Sequence, residues 1–102
     1  MNKLTEDEKR QLQVNAQRVM AAFADHMEEG FDSSAIQALV DEQFTEINEK
    51  FYDCSLEMFR NLAVMTIEDE RYARNYRCFH PDLPEFRLQA VQYYCDHHAD
   101  QA

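Results

Sequence analysis

Glycine and proline are scarce in this chain, with one glycine and two prolines among 102 residues. Hairpins and tight turns depend on these residue types, so their scarcity argues against a β-rich fold and favours helices. A single glycine also excludes the glycine-rich loops that usually bind nucleotide phosphates. No apolar run approaches the roughly 18 residues of a membrane span, and the N-terminus lacks the apolar core of a signal peptide.

Basic residues are also few, with 10 Lys and Arg against 20 Asp and Glu, for a formal net charge of −10. A nucleic-acid duplex repels such a surface, because proteins bind it largely by neutralising its phosphates. Anionic membrane surfaces are disfavoured for the same reason. We therefore expect no direct nucleic-acid or membrane binding, and at most a preference for cationic or neutral ligands.

Cysteine is limited to Cys54, Cys78 and Cys95, an odd number without the spacing of a disulfide framework. This indicates reduced thiols and a cytoplasmic protein. Cys78 with His80 and Cys95 with His97 each give a Cys-x-His spacing, whereas structural zinc usually takes four ligands as two closely spaced pairs. The pattern favours solvated or hydrogen-bonded histidines, and we expect neither a metal nor a cofactor.

The length allows one domain, which we predict to span residues 1–102. A chain of this size buries only about two-thirds of the surface that its unfolded form exposes. A large pocket would therefore compete with the core for the same apolar side chains.

Apolar side chains recur at helical spacing throughout the chain, which predicts an all-α fold of five helices. Thr5 and Glu8 form the pattern of a capping box, and Gly30 stands where a helix end needs a left-handed residue. The short connection between the first two helices predicts that they pack antiparallel. The predicted helices cover about 6–29, 34–51, a third beginning after Ser55, a fourth at about 68–76 with Thr66 or Asp69 as its cap, and a last one after Asp82 with Pro84 in its first turn.

Residues 51–65 are the densest apolar stretch, with aromatic, thiol and thioether side chains close together. They are either core or the wall of an apolar pocket, and composition alone favours core. No catalytic constellation accompanies them. Cys54 is the best candidate nucleophile, because a cysteine just before a helix start can have its pKa lowered by the helix N-terminus. No histidine is near it in the sequence, so we do not expect an enzyme.

The same stretch resembles the TipAS antibiotic-recognition domain, the drug-binding half of some MerR-type transcriptional regulators. The similarity covers about residues 16–98. The residues that carry it are Phe51, Tyr52, Asp53, Cys54, Glu57, Met58, Leu62, Ala63, Val64, Met65, Asp69, Glu70, Arg71, Tyr72, Arg74 and Asn75, with Met27, Glu28, Glu29, Gly30, Asp32, Ser33, Ala38, Leu39 and Val40 upstream.

The resemblance implies a globin-like fold without haem that binds bulky, largely apolar peptide antibiotics such as thiopeptide macrocycles, without turnover. It implies either a free-standing drug-sequestering protein or the effector domain of a regulator. In the family, a cysteine seven residues after the position of Cys54 captures the antibiotic covalently. That position is Asn61 here, so we expect reversible binding. A histidine common in the family's second helix is Gln43 in this chain.

We predict a ligand pocket between the second, third and fourth helices. The alternative is a helical interaction or dimerisation module, in which exposed aromatic side chains meet a partner helix or a second copy of the chain. The predicted ligand-contacting residues are Phe44, Ile47, Phe51, Tyr52, Cys54, Met58, Phe59, Asn61, Leu62, Met65, Tyr72, Tyr76 and Phe79.

Overall fold

The computed structural model describes residues 5–98, which form five α-helices and no strand, as the sequence predicts. No helix in this range combines the length and apolar character needed to cross a membrane. The helices are α1 Glu6–His26, α2 Ser34–Lys50, α3 Leu56–Glu68, α4 Glu70–Arg77 and α5 Leu83–His98, with a short 3-10 helix at Met27–Glu29 after α1.

Side-chain caps set the helix starts. The backbone N–H of Glu8 donates to Thr5 Oγ1 at 3.1 Å, and that of Thr5 donates to the Glu8 carboxylate at 3.0 Å, completing the predicted capping box. Ser55 accepts from the backbone of Met58 at the start of α3. Asp69, rather than Thr66, caps α4, so this helix begins at Glu70.

Gly30 ends the first helical segment with φ +98° and ψ 153°, a conformation that is essentially restricted to glycine. A Cβ at this position would also lie 3.1 Å from Asp32 Oδ1. The chain can therefore reverse direction between α1 and α2 only because this residue has no side chain. The predicted helix end is confirmed, with its last turn in 3-10 form.

Helix α5 is the centre of the fold, because it packs against each of the other four helices. The core is built mainly around its apolar stripe. The buried apolar side chains are Val19, Phe23, Ile36, Val40, Cys54, Phe59, Ala63, Ala73, Leu83, Ala90, Val91, Tyr94 and Cys95.

Three aromatic rings fill the space between α2, α3 and α5. The ring of Phe44 lies 5.1 Å from that of Phe59 and 5.7 Å from that of Tyr94, measured between centroids. The rings of Phe59 and Tyr94 are 6.2 Å apart in an edge-to-face arrangement. Such tilted contacts suit the charge distribution of aromatic rings and fix the relative positions of the three helices.

Tyr94 also makes a polar contact between α5 and α2. Its hydroxyl donates to Asp41 Oδ1 at 2.5 Å, at the edge of the core. Burial of the hydroxyl, followed by the hydrogen bond to Asp41, raises the pKa of Tyr94 above its usual value. Both causes favour the neutral phenol in the folded protein.

We expect Tyr94→Phe to lower the free energy of unfolding by about 1–2 kcal/mol, because it removes this hydrogen bond but retains the ring. The native pKa is raised, so the contribution of the hydroxyl is complete below about pH 10, where an unfolded tyrosine ionises, and is lost as the pH rises further. Urea unfolding between pH 7 and 11 should show a shallower alkaline loss of stability in the variant.

The matched control is Tyr93→Phe, since Tyr93 is only half-buried and its hydroxyl has no hydrogen-bond partner among the described residues. If the two variants lose the same amount of unfolding free energy, the role given to the Tyr94 hydroxyl is contradicted.

Candidate ligand-binding site

A cavity of about 160 Å³ lies among α1, α2, α4 and α5, beside the aromatic core. Cavities of about 150 Å³ can hold a benzene molecule, so this space accommodates one ring-sized group. Its lining combines apolar, amide and charged side chains. The lining residues are Asn15, Ala16 and Val19 of α1, Glu42, Gln43, Glu46 and Ile47 of α2, Tyr76 of α4 and Arg87 of α5.

Arg87 provides the positive charge of the cavity, and it is only 6% exposed. Its Nε donates to Gln43 Oε1 at 2.9 Å. The guanidinium carbon lies 5.2 Å from the ring centroid of Tyr76 and 6.0 Å from that of Phe59. Ring faces attract cations, so the two aromatic side chains partly replace the water that burial removes from Arg87.

The negative charges of the cavity belong to Glu42 and Glu46. Asn15 Nδ2 donates to Glu46 Oε2 at 2.7 Å, and Arg18 donates both to Glu42 and, at 2.8 Å, to Asn15 Oδ1. These bonds join α1 to α2 beside the cavity. The cavity therefore has a cationic wall on α5 and an anionic wall on α2.

Two of the predicted contact residues, Ile47 and Tyr76, line this cavity. Others belong to the core or pack against it: Cys54 and Phe59 are buried, and Phe44 and Leu62 are partly buried. The remaining predicted residues are exposed, namely Phe51, Tyr52, Met58, Asn61, Met65, Tyr72 and Phe79.

Within residues 5–98, the predicted residues thus do not come together around this cavity, which Ile47 and Tyr76 alone of the set line. The rings of Phe44, Phe59 and Tyr94 fill the space beside α3, and the cavity lies on the other side, against α1 and α5. Because a chain this small has few large apolar side chains, Phe59 and Leu62 of α3 are used for the core. Ligand contact by the exposed members of the set stays a prediction.

Three of the exposed aromatic residues lie three or four positions in sequence from residues that line the cavity. Phe51 follows Ile47 by four residues, and Tyr72 and Phe79 lie four before and three after Tyr76. Residues three or four apart are neighbours on a helix surface. We call these three side chains the aromatic rim; Tyr72 lies within α4, whereas Phe51 and Phe79 lie just beyond the ends of α2 and α4.

Sequence reasoning missed Arg87 as a functional residue. Its position did carry a signal, because Arg87 lies four residues after Leu83 and three before Ala90, within the apolar stripe of α5. A charged residue in a buried stripe indicates a buried charge that needs partners. The contributions of Asn15, Ala16, Val19, Glu42 and Glu46 depend on how α1 crosses α2, which no local pattern shows.

Cys54 does not have the lowered pKa that would make it a nucleophile. Burial raises the pKa of the Cys54 thiol, and the side chain is only 5% exposed. The backbone N–H of Cys54 donates to Asn48 Oδ1 at 2.8 Å, which places the residue structurally. Burial also raises the pKa of Cys95. Among residues 5–98, no three His, Cys, Asp or Glu side chains are grouped closely enough to hold a metal ion.

We expect thiol reagents at pH 7.5 to modify the exposed Cys78 first, with Cys54 and Cys95 reacting only when the protein unfolds, since both are buried as weak acids. Timed labelling with N-ethylmaleimide, followed by peptide mass spectrometry, measures the three rates. Cys78→Ser should abolish the fast phase. Rapid modification of Cys54 in the folded protein would contradict this assignment.

A cleft that combines apolar side chains with placed polar groups is a usual form of small-molecule site. A model of the TipAS antibiotic-recognition domain matches residues 1–94, and the chain belongs to this family. The fold of the family is globin-like, and its function is drug recognition rather than catalysis, as the resemblance implied.

A curated relative is the HTH-type transcriptional activator mta of Bacillus subtilis (strain 168), 32% identical over 91 residues. The alignment covers 89% of this chain and 35% of the relative, so the chain spans about a third of the length of that protein. No solved structure matches the chain.

Proposed function

We propose that this domain binds a bulky, largely apolar antibiotic-like molecule reversibly, either as a free-standing drug-binding protein or as the effector domain of a transcriptional regulator. One ring-sized group of the ligand enters the cavity, and the rest lies on the aromatic rim. The observation that carries this proposal is the cavity itself, which is partly open to solvent and is lined by Ile47 and Tyr76, both predicted from the sequence.

The size of the cavity decides how a large ligand binds. A volume of about 160 Å³ encloses one ring but not a peptide macrocycle. Phe51 and Tyr72 are 53% and 51% exposed, although both are large and apolar. Covering such side chains stabilises a complex by about 25 cal/mol for each Å² of apolar surface removed from water. The rim therefore supplies contact area that the cavity lacks.

Cys54 and Asn61 support reversible rather than covalent binding. Cys54 is buried, and burial raises its pKa, so little reactive thiolate forms at neutral pH. Asn61 is exposed on α3, where an amide can hydrogen-bond a ligand but cannot capture it.

The relative is, by its printed name, a transcriptional activator. This supports a role for the domain in sensing a drug in the cytoplasm and passing that signal to a transcriptional response. Binding without turnover is sufficient for this role, because any ligand that prefers one conformation shifts the population toward it.

The test is titration with thiopeptides and other peptide antibiotics, followed by thermal unfolding. At 100 times the Kd, a ligand specific for the folded state stabilises it by about 2.7 kcal/mol, which raises the Tm of a domain this size by roughly 10 °C or more. We expect at least one such compound to do this.

Two variants locate the site. Ala16→Phe places a ring in the cavity and should abolish the Tm shift, whereas Ala38→Phe, the same change at an exposed position of α2, should leave it unchanged. Tyr72→Ser in the rim should reduce the shift, with the equally exposed Val14→Ser as its control. The proposal fails if no compound raises the Tm, or if Ala16→Phe binds as the unchanged protein does.

Exposed apolar side chains also favour a second candidate, a helical interaction or homodimerisation module. Met58 and Met65 lie on α3 and are 43% and 52% exposed. Clustered surface of this kind is common at protein interfaces. Light scattering during gel filtration tests for the homodimer. A dimer that becomes monomeric in the double variant Met58→Ser/Met65→Ser supports the module. A monomer at all concentrations excludes homodimerisation.

A further inference from the structure

The guanidinium of Arg87 is buried with too few protein partners for its donors. A guanidinium has five N–H groups, and within residues 5–98 only Nε has a hydrogen-bond partner, the neutral Gln43. No carboxylate in that range lies within ion-pair distance of Arg87. Its Nη atoms are not among the fully enclosed unpaired atoms, and the residue lines the cavity, so these donors face the cavity.

This arrangement is costly for the folded protein. Removing a charge from water is unfavourable unless the charge is paired and hydrogen-bonded. The faces of Tyr76 and Phe59 compensate in part, but they accept no conventional hydrogen bond from the Nη groups. A hydrogen-bond acceptor inside the cavity would satisfy the remaining donors.

The α2 wall of the cavity has carboxylate oxygens without hydrogen-bond partners among the described residues. Glu46 Oε2 accepts from Asn15 and Glu42 Oε1 accepts from Arg18, while the second oxygen of each carboxylate has no partner among the described residues. An ionised carboxylate only accepts hydrogen bonds. The cavity thus has unused donors on α5 and unused acceptors on α2, and its volume is enough for one ring.

We propose that the cavity recognises a neutral amide attached to a flat ring. The amide C=O accepts from the Arg87 guanidinium, the amide N–H donates to Glu46 or Glu42, and the ring packs on Ile47 and Tyr76. The proposal rests on the proposed function and deepens it, by naming the group of the ligand that enters the cavity and the residue that selects it.

The opposite charges of the two walls are the reason for proposing a neutral group. A carboxylate would pair with Arg87 but would face the like charges of Glu42 and Glu46. An ammonium group would be attracted to those carboxylates but would face the guanidinium and leave it unpaired. An amide carries both an acceptor and a donor and no net charge, so it satisfies both walls.

Three small probes of nearly equal size separate these cases: benzamide, benzoate and benzylammonium. Titration of the 15N-labelled protein by NMR measures each affinity and follows the Arg87 Nε–H and Gln43 side-chain amide signals. Benzamide should shift both signals and bind at least about fivefold tighter than either ion. Benzoate or benzylammonium binding as tightly as benzamide, or benzamide leaving both signals unmoved, overturns the proposal.

Two variants test Arg87 as the selecting residue rather than a packing residue. Arg87→Met retains most of the volume and removes the donors, so benzamide affinity should fall about tenfold or more. Gln43→Glu gives Arg87 an internal carboxylate partner, which should raise the Tm while weakening benzamide binding. The control is Arg74→Met, at an exposed arginine of α4, which should change neither.

In Gln43→Glu, the Tm should rise while the affinity for benzamide falls. A purely structural role for Arg87 does not predict these opposite changes. If Gln43→Glu binds benzamide as tightly as the unchanged protein, the proposal is overturned, whether or not Arg87→Met folds. A peptide antibiotic that binds equally well to the unchanged protein and to Gln43→Glu would leave the proposed function standing and remove only this inference.

Discussion

The contact on which the site depends is the packing around the Arg87 guanidinium. Gln43 of α2, Phe59 of α3 and Tyr76 of α4 converge on this one group of α5. A buried cation is tolerated only where neighbours compensate for lost hydration, so the four helices must hold their relative positions for Arg87 to remain inside. The cavity is the space that this arrangement leaves unfilled, and its shape follows from the same contacts.

Phe59 connects the filled and unfilled parts of the interior. On one side its ring packs with Phe44 and Tyr94 in the aromatic core, and on the other it faces Arg87. The core supplies rigidity, because tilted ring contacts and the Tyr94–Asp41 hydrogen bond fix α2, α3 and α5. A rigid wall keeps the cavity donors and acceptors in place before a ligand arrives, which reduces the entropy lost on binding.

Local signals in the sequence were sufficient for the helices and their ends. Thr5, Ser55 and Gly30 act within one turn of their own positions, and each has the predicted role. The positions of the candidate site residues were less predictable, because composition cannot distinguish a core aromatic from a pocket aromatic. Phe59 is core since α5 covers it, and Ile47 lines the cavity since α1 does not fill that space. Arg87 was identifiable only as a charge in an apolar stripe, and its partners lie on helices far away in sequence.

The role of Arg87 in binding the ligand is tested most directly by measuring the rotation of its guanidinium. 15N NMR of the Nη groups, with and without a saturating thiopeptide, gives this rotation. An unpaired guanidinium rotates freely about its Nε–Cζ bond, whereas hydrogen bonds to a ligand oppose that rotation. We expect the ligand to slow the rotation enough to separate the Nη signals. Unchanged rotation of Arg87 in a saturated complex, with ligand shifts confined to exposed side chains such as Met65 and Tyr72, would contradict it.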